Sequence, residues 1–476
     1  MKKLSELYDT TSDVVIKDIK ITSTEVVEGD LFVCVMGVGV DRHDYIDDAI
    51  RRGAAACVIS HYVGEKDVPL IMVSDTNYEL PRLCKRFYDN VDDKLTIIGV
   101  TGTDGKTTTA SMIYTLLGDR CGYIGTNGVI CNSFKLATNN TTPDSDKLYK
   151  YMDMFKKNGC DTLVMEASSE AFFRGRVQTI NFDMSIMTNL TGDHLNIHKT
   201  FDNYKECKMM LFKQTKKDGL SILNSDDKYF DEFKNICVSN VSTYGKNGDI
   251  SIKSFKNTAD GSLIEYIIDG KTYSINSPLM GEYNAYNLAA AIDACLHMGE
   301  KLDTILSRIP LIHVDGRCEM VYNQDNKYIM IDYAHTVNGI DNVLSLADNI
   351  TKDKKVVVIG AAGGRDPFKR PHMGEVIVKH GAYPIFTMED PRGEDVLEIC
   401  KSMASLLDDS TYSIVPDRHD AISLGISMIK DGGMLLVLGK GSDTYHIVGK
   451  EKIHFNDLEE VNKIVDLHTF QLHITV

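Results

Sequence analysis

The nine residues Thr101-Gly102-Thr103-Asp104-Gly105-Lys106-Thr107-Thr108-Thr109 constrain this chain more than any other stretch. They follow the short β-branched apolar run Leu95–Val100, which reads as a buried parallel strand. They lead into a helical pattern from about Thr107 to Leu117. A strand that enters a glycine-containing loop and leaves as a helix directs backbone N–H groups at phosphate. Gly102 and Gly105 allow the tight turn and the close approach of backbone to phosphate oxygens. Lys106 adds a point charge for the β- and γ-phosphates, and the hydroxyl of Thr107 suits Mg²⁺. The stretch is read as an ATP-phosphate loop built from Thr103, Asp104, Gly105, Lys106, Thr107 and Thr108. Its one departure from the usual Walker pattern is Val100, which stands where the first glycine belongs.

A chain of 476 residues is long enough for roughly three domains. The first is expected over 1–91, with short strands such as Leu31–Val35 and Ala56–Ile59 and a helix from Tyr45 to Arg52 ended by Gly53. The second spans 92–314. Its strands Thr162–Met165, Met184–Met187 and Leu220–Leu223 alternate with helices, which indicates a mostly parallel α/β sheet. A more polar, β-rich stretch from Ile250 to Asn276 and a helix from Asn284 to Met298 complete it. The third, 315–476, repeats the α/β style, with Val356–Ile359 and Met434–Leu438 as strands ending in glycine-containing loops. Functional loops of such sheets gather at the carboxyl ends of the strands.

Charge and cysteine usage narrow the partners. The net charge of −16 argues against nucleic acid, although a local basic pocket can still hold an anion. The 11 cysteines include no CxxC pair and no zinc-spaced cluster. No apolar run approaches the roughly 20 residues that span a bilayer. A reduced, cytoplasmic, monomeric enzyme acting on small molecules, with no membrane partner, is expected.

One lysine stands out of place. In the helical segment Phe201–Phe212, residues Phe201, Tyr204, Lys208, Leu211 and Phe212 share one face. Either the Lys208 ammonium snorkels to water, or the residue is buried for a chemical purpose, with a shifted pKa or a covalent modification. Glu166, closing a strand, and the histidines of Thr188–His198 are candidate metal ligands. Glu166 as a helix cap is the plainer alternative.

Together these segments resemble the Mur ligases, ATP-dependent enzymes of peptidoglycan precursor synthesis. The likeness rests on Thr101–Thr109, Glu166–Ser169, Thr188–His198, Gly281–Asn287, Gly316–Glu319 and Asp332–His335, in the family's order along nearly the whole chain. Within the family it is nearest the MurE branch, which adds a diamino acid to UDP-N-acetylmuramoyl-L-alanyl-D-glutamate. Gly363–Pro371, Glu389–Arg392, Gly439–Asp443 and the N-terminal run Ser23–Phe32 carry that likeness.

The resemblance implies an N-terminal uridine-nucleotide domain, a central P-loop-type ATPase domain and a C-terminal Rossmann-like domain. It implies that Lys208 becomes a carbamate with CO₂, that Thr107 and Glu166 hold one Mg²⁺, and that His194 and the modified Lys208 attend a second. Lys106, Lys208, Arg317 and His335 take catalytic roles, and Asn284, Asn287 and Asp332 surround the nucleotide. Ser23, Thr141, Thr142, Ser168 and Arg176 match contacts to the muramoyl-dipeptide. The chain departs from the branch where Glu170 replaces a histidine and where Thr22-Ser23-Thr24 replaces Asp-Ser-Arg.

The added amine is expected at Arg365, Asp390, Arg392, Gly439 and Asp443. Retention of Arg365 and Arg392 favours meso-diaminopimelate, because a guanidinium fork matches its distal carboxylate. Asp390 in place of asparagine and Asp443 in place of glutamate admit other readings. The extra acid suits lysine, or it pairs with Arg392 and blunts it. Glu389–Arg392 as a simple proline turn with a solvated arginine is the plainest alternative. A paralogue adding another amino acid, folylpolyglutamate synthase, and a regulatory or transport NTPase are the remaining alternatives.

Overall fold

Parallel pairing of short apolar strands organises each of the larger sheets. The computed structural model describes residues 1–474 other than 38, 139, 193, 194, 259, 260 and 325, and gives the backbone alone for 195, 196 and 467–474. Near the N-terminus, β1 (Ile19–Lys20), β2 (Asp30–Val33), β3 (Ala54–Ile59) and β4 (Leu70–Met72) form a parallel sheet in that order. The expected helix over 45–52 is shorter, because the Asp41 carboxylate accepts from the His43 N–H and starts a 3₁₀ turn at Arg42. The α-helix α1 follows over Ile46–Arg51. Gly53 ends it at φ +109°, where an added Cβ would lie 2.7 Å from Glu28 Cα.

The central sheet is built from β5 (Thr96–Thr101), β6 (Cys121–Gly125), β7 (Gly128–Cys131), β8 (Phe134–Leu136), β9 (Thr162–Glu166), β10 (Phe182–Met187), β11 (Thr215–Asn224), β12 (Asn240–Gly245), β13 (Ile250–Thr258), β14 (Gly261–Ile268) and β15 (Lys271–Ser277). Their order is β8-β7-β6-β9-β5-β10-β11-β12-β13-β14-β15. The middle pairs are parallel, as expected, and an antiparallel hairpin set closes each flank. The polar stretch expected to be β-rich is the β13–β15 flank.

Alternation along β5 decides which helices it meets. Ile97 joins the core with Leu211 and Phe212 of α3 (Phe201–Lys213), while Ile98 and Val100 join the opposite core with Ile113 and Ala289. The last two come from α2 (Lys106–Leu117) and α4 (Glu282–His297). Fully buried Ala289, Ala290 and Ala291 allow close packing of these two helices. Covering on both faces is what a parallel sheet requires.

The C-terminal sheet repeats this plan. Its strands are β16 (Glu319–Gln324), β17 (Lys327–Asp332), β18 (Lys355–Ile359), β19 (Tyr383–Phe386), β20 (Ser413–Ile414) and β21 (Met434–Leu438). They lie in the order β16-β17-β21-β18-β19-β20, with β16 alone antiparallel to its neighbour. Among the described residues no helix is long and apolar enough to cross a membrane.

Candidate active site

Strand register sets the centre of the site. Glu166, the last residue of β9, lies opposite Val100 of β5, and Met187 of β10 lies opposite Thr101. Three neighbouring strands therefore end side by side where the phosphate loop begins. In the C-terminal sheet Asp332 and Ile359 both lie opposite Leu438, so those strands end together as well. Both sets of strand ends open onto one cavity of about 1040 Å³.

The loop leaves β5 through Gly102 at φ +148° and enters α2 through Gly105 at φ +82°. A Cβ on Gly102 would lie 1.8 Å from Thr188 Oγ1, whose hydroxyl donates to the Asp104 carbonyl at 2.6 Å. Gly102→Ala should therefore weaken ATP binding roughly tenfold or more, the effect of 1–3 kcal/mol of backbone strain. Titration calorimetry checks this, and unchanged affinity would show that the loop yields. The Lys106 ammonium folds back to the carbonyls of Gly102 at 3.0 Å and Thr103 at 2.8 Å.

Glu166 is fully buried and surrounded by donors. Thr107 Oγ1 donates to its Oε2 at 2.9 Å, and Tyr123 OH and Thr126 N–H each donate to its Oε1 at 2.8 Å. Burial and the adjacent carboxylate push the Tyr123 phenol up, so it keeps its proton as a donor. Glu166 is thus a strand-end carboxylate and not a helix cap; Ser168 caps the next helix by accepting from Ala171 N–H at 3.2 Å. Thr107 Oγ1 and Glu166 Oε2, 2.9 Å apart, are hard oxygens at the spacing of adjacent ligands in an octahedron with bonds of about 2.1 Å. The pair fits Mg²⁺.

Lys208 does not snorkel. Its side chain is 2% exposed, its Nζ donates to the Gly102 carbonyl at 2.6 Å, and it lies 4.5 Å from the Tyr204 ring centroid. The Tyr204 hydroxyl in turn lies 3.1 Å from Thr103 Oγ1. His194 lies outside the described residues.

The C-terminal unit reaches the loop directly. Arg317 Nη2 donates to Thr107 Oγ1 at 3.2 Å while its guanidinium stacks 4.4 Å from the Tyr333 ring centroid. Asn338 Nδ2 donates to the Asp104 carboxylate at 3.2 Å. His335 lines the cavity, with Nδ1 3.0 Å from the Tyr333 carbonyl. Asn284 and Asn287 line it too; Asn287 Nδ2 donates to Asn284 Oδ1 at 3.0 Å, and Thr109 Oγ1 donates to Asn287 Oδ1 at 3.2 Å. Asp332 also lines the cavity, but its oxygens accept from the N–H groups of Cys318 and Ala334, each at 2.7 Å.

The expected amine residues Arg365, Asp390, Arg392, Gly439 and Asp443 share this cavity. Asp390 is not hydrogen-bonded to Arg392, although its charge acts on the guanidinium from nearby. Its Oδ1 accepts from the fully buried Lys440 ammonium and from Ile447 N–H, each at 3.2 Å, so its charge is matched. Nor is Arg392 solvated on a plain turn. Its Nε is buried without a hydrogen-bond partner, and burial and the nearby Arg365 guanidinium push its pKa down. Glu389 Oε2 is likewise buried without a partner, and burial pushes that carboxyl up. Burial, with help from Asp390 and Glu389, pushes Asp443 up to about 6.

Thr141, Ser168 and Arg176 line the far end of the cavity. Two expected contacts do not. Thr142 Oγ1 turns inward to the Glu166 carbonyl at 2.7 Å, and Ser23 is buried beside Asp48. Both hydroxyls are buried in this structure, away from the cavity wall. Sequence reasoning missed Tyr123 and Thr126, which left no signal, and gave no role to Glu389 and Lys440, although both lie inside the motifs Glu389–Arg392 and Gly439–Asp443.

Three family models match the chain in sequence: the Mur ligase family catalytic domain over 15–91, the Mur ligase middle domain over 100–295, and the Mur ligase glutamate ligase domain over 316–441. The chain belongs to the Mur ligase family. A Bacillus cereus relative of this family, UDP-N-acetylmuramoyl-L-alanyl-D-glutamate–2,6-diaminopimelate ligase, is 36% identical over 94% of each chain. A solved Mur ligase structure of that same description is 25% identical, with a TM-score of 0.66, over 98% of this chain and all of the other. The fold is shared with MurF from Thermotoga maritima in complex with ADP, at 20% identity and a TM-score of 0.70, over 95% and 98% of the two chains.

Proposed function

We propose that this chain is the Mur ligase that joins meso-diaminopimelate to the D-glutamyl side chain of UDP-N-acetylmuramoyl-L-alanyl-D-glutamate, with ATP converted to ADP and phosphate. The names of the relatives support the substrates. One observation carries the reading for this chain: an unpaired carboxylate oxygen of Glu389 and an unpaired guanidinium nitrogen of Arg392 share the cavity that holds the phosphate loop. Opposite charges left unsatisfied in one buried wall are complementary to a zwitterionic amino acid. A regulatory NTPase has no use for them. We divide the chain into a nucleotide-substrate domain, 1–91, a central ATPase domain, 92–314, and an amine-binding domain, 315–476.

The chemistry follows from placing two anions together. The D-glutamyl carboxylate attacks the γ-phosphate, ADP leaves, and an acyl phosphate forms. The incoming amine attacks that carbonyl, releases phosphate and loses a proton. Lys106 and Arg317 would neutralise the transferring phosphoryl group, and His335 would add a donor from the C-terminal side. Thr107 and Glu166 would hold one Mg²⁺, and His194 with a carbamate on Lys208 would hold a second, supplying further charge neutralisation. Arg365 and Arg392 hold the distal carboxylate of diaminopimelate, while Glu389 and Asp443 face its ammonium.

Phosphate release tests the reading. Purified protein with ATP and Mg²⁺ should release phosphate only when both the UDP-muramoyl-dipeptide and diaminopimelate are present. Hydrolysis indifferent to both would end the ligase reading.

A further inference from the structure

A second cavity of about 450 Å³ lies between the N-terminal and central sheets, and Glu170 and Arg176 line both it and the large cavity. These residues therefore stand at the neck between the two spaces. Ile21, Val35 and Phe173 give the small cavity apolar walls, and Arg42, Arg174 and Arg176 give it positive charge. Two carboxylates oppose those cations. Asp144 accepts from Arg176 Nε at 2.6 Å, and Glu170 accepts from Arg174 Nε at 2.7 Å. Burial raises the Glu170 carboxyl, but Arg174, with Arg176 and Arg365 farther off, holds it below its usual value.

Building on the proposed function, we infer that Glu170 holds the place of a substrate anion: it engages Arg174 until the diphosphate of the UDP-linked substrate takes that guanidinium over. The substrate has its uridine at one end and its reacting carboxylate at the other. The proposed nucleotide-substrate domain takes the uridine end into the small cavity and the reacting end reaches the phosphate loop in the large one, so the segment between them, which carries the diphosphate, crosses the neck. A diphosphate there meets Glu170 as a like charge and Arg174 as its partner. Arg174 gives Glu170 its Nε alone, and a diphosphate that draws the guanidinium to itself takes that donor from Glu170. Glu170 is thus a selectivity residue that costs affinity and rejects weakly charged ligands, which have less to offer Arg174 in exchange.

Calorimetric titration of the full chain with UDP-N-acetylmuramoyl-L-alanyl-D-glutamate, without ATP, tests this. Glu170→Gln should bind about tenfold tighter than the parent, equivalent to about 1.4 kcal/mol. The gain should shrink as salt is raised, since the repulsion removed is partly exposed to solvent. In an Arg174→Met background the same change should gain little, because the guanidinium contested by the two anions is gone. Equal or weaker binding by Glu170→Gln, or an undiminished gain without Arg174, would overturn the inference while the ligase reading stands. Failure of the parent protein to bind the compound at all would bring down both.

Discussion

Lys208→Ala should lower turnover by on the order of 10³-fold, the scale on which a preorganised charge at a phosphoryl-transfer site acts. The side chain is enclosed and points at the Gly102 carbonyl. A buried amine is pushed towards its neutral form, and only that form reacts with CO₂. The carbamate so formed would replace a cation with an anion. Added formate or acetate should restore part of the activity by supplying the missing carboxylate. A purely structural lysine gives a different pattern. The Gly102 carbonyl keeps Lys106 as a donor, so ATP should still bind Lys208→Ala, and carboxylates would then restore nothing. Full activity in the variant would remove the carbamate from the mechanism.

Arg392→Ala should raise the KM for diaminopimelate by roughly 10²-fold, since truncating one partner of a buried charge pair costs 2–5 kcal/mol. The loss should be much smaller for lysine, which has no distal carboxylate to leave unpaired. The ratio of kcat/KM for the two amines is therefore the measurement to make. Asp390 strengthens this expectation, because Lys440 already matches its charge and it is not hydrogen-bonded to Arg392. Turnover of lysine but not diaminopimelate by the parent protein would reverse the assignment.

What could be read from sequence was local. The phosphate loop combines a strand, two glycines, a lysine and a helix in about twenty consecutive residues, and all of them fold as expected. Lys208 was visible because it breaks an apolar stripe of helical period. What could not be read were contacts between strands distant in sequence. Tyr123 and Thr126 reach Glu166 from about 40 residues away, and Lys440 reaches Asp390 from 50. Thr142 and Ser23 show the converse: both belong to expected site motifs, yet their hydroxyls are buried away from the cavity. A motif gives a residue's place along the chain, but the turn geometry decides which way its hydroxyl points.

The shared cavity has a consequence for how such a protein diversifies. The phosphate loop, Glu166 and Lys208 come from one sheet and its helices, whereas Arg365, Glu389, Arg392 and Asp443 come from another. Among the described residues, side chains that cross the seam between them include Arg317 to Thr107, Asn338 to Asp104 and Ser442 to Asn127. On the proposed roles, most of the phosphate-handling side chains come from one unit and the amine-holding ones from the other, with Arg317 and His335 bridging the two. A chimera that takes its C-terminal unit from a lysine-adding relative, with Arg317, His335, Asn338 and Ser442 retained, should change the building block and keep the activation of the carboxylate.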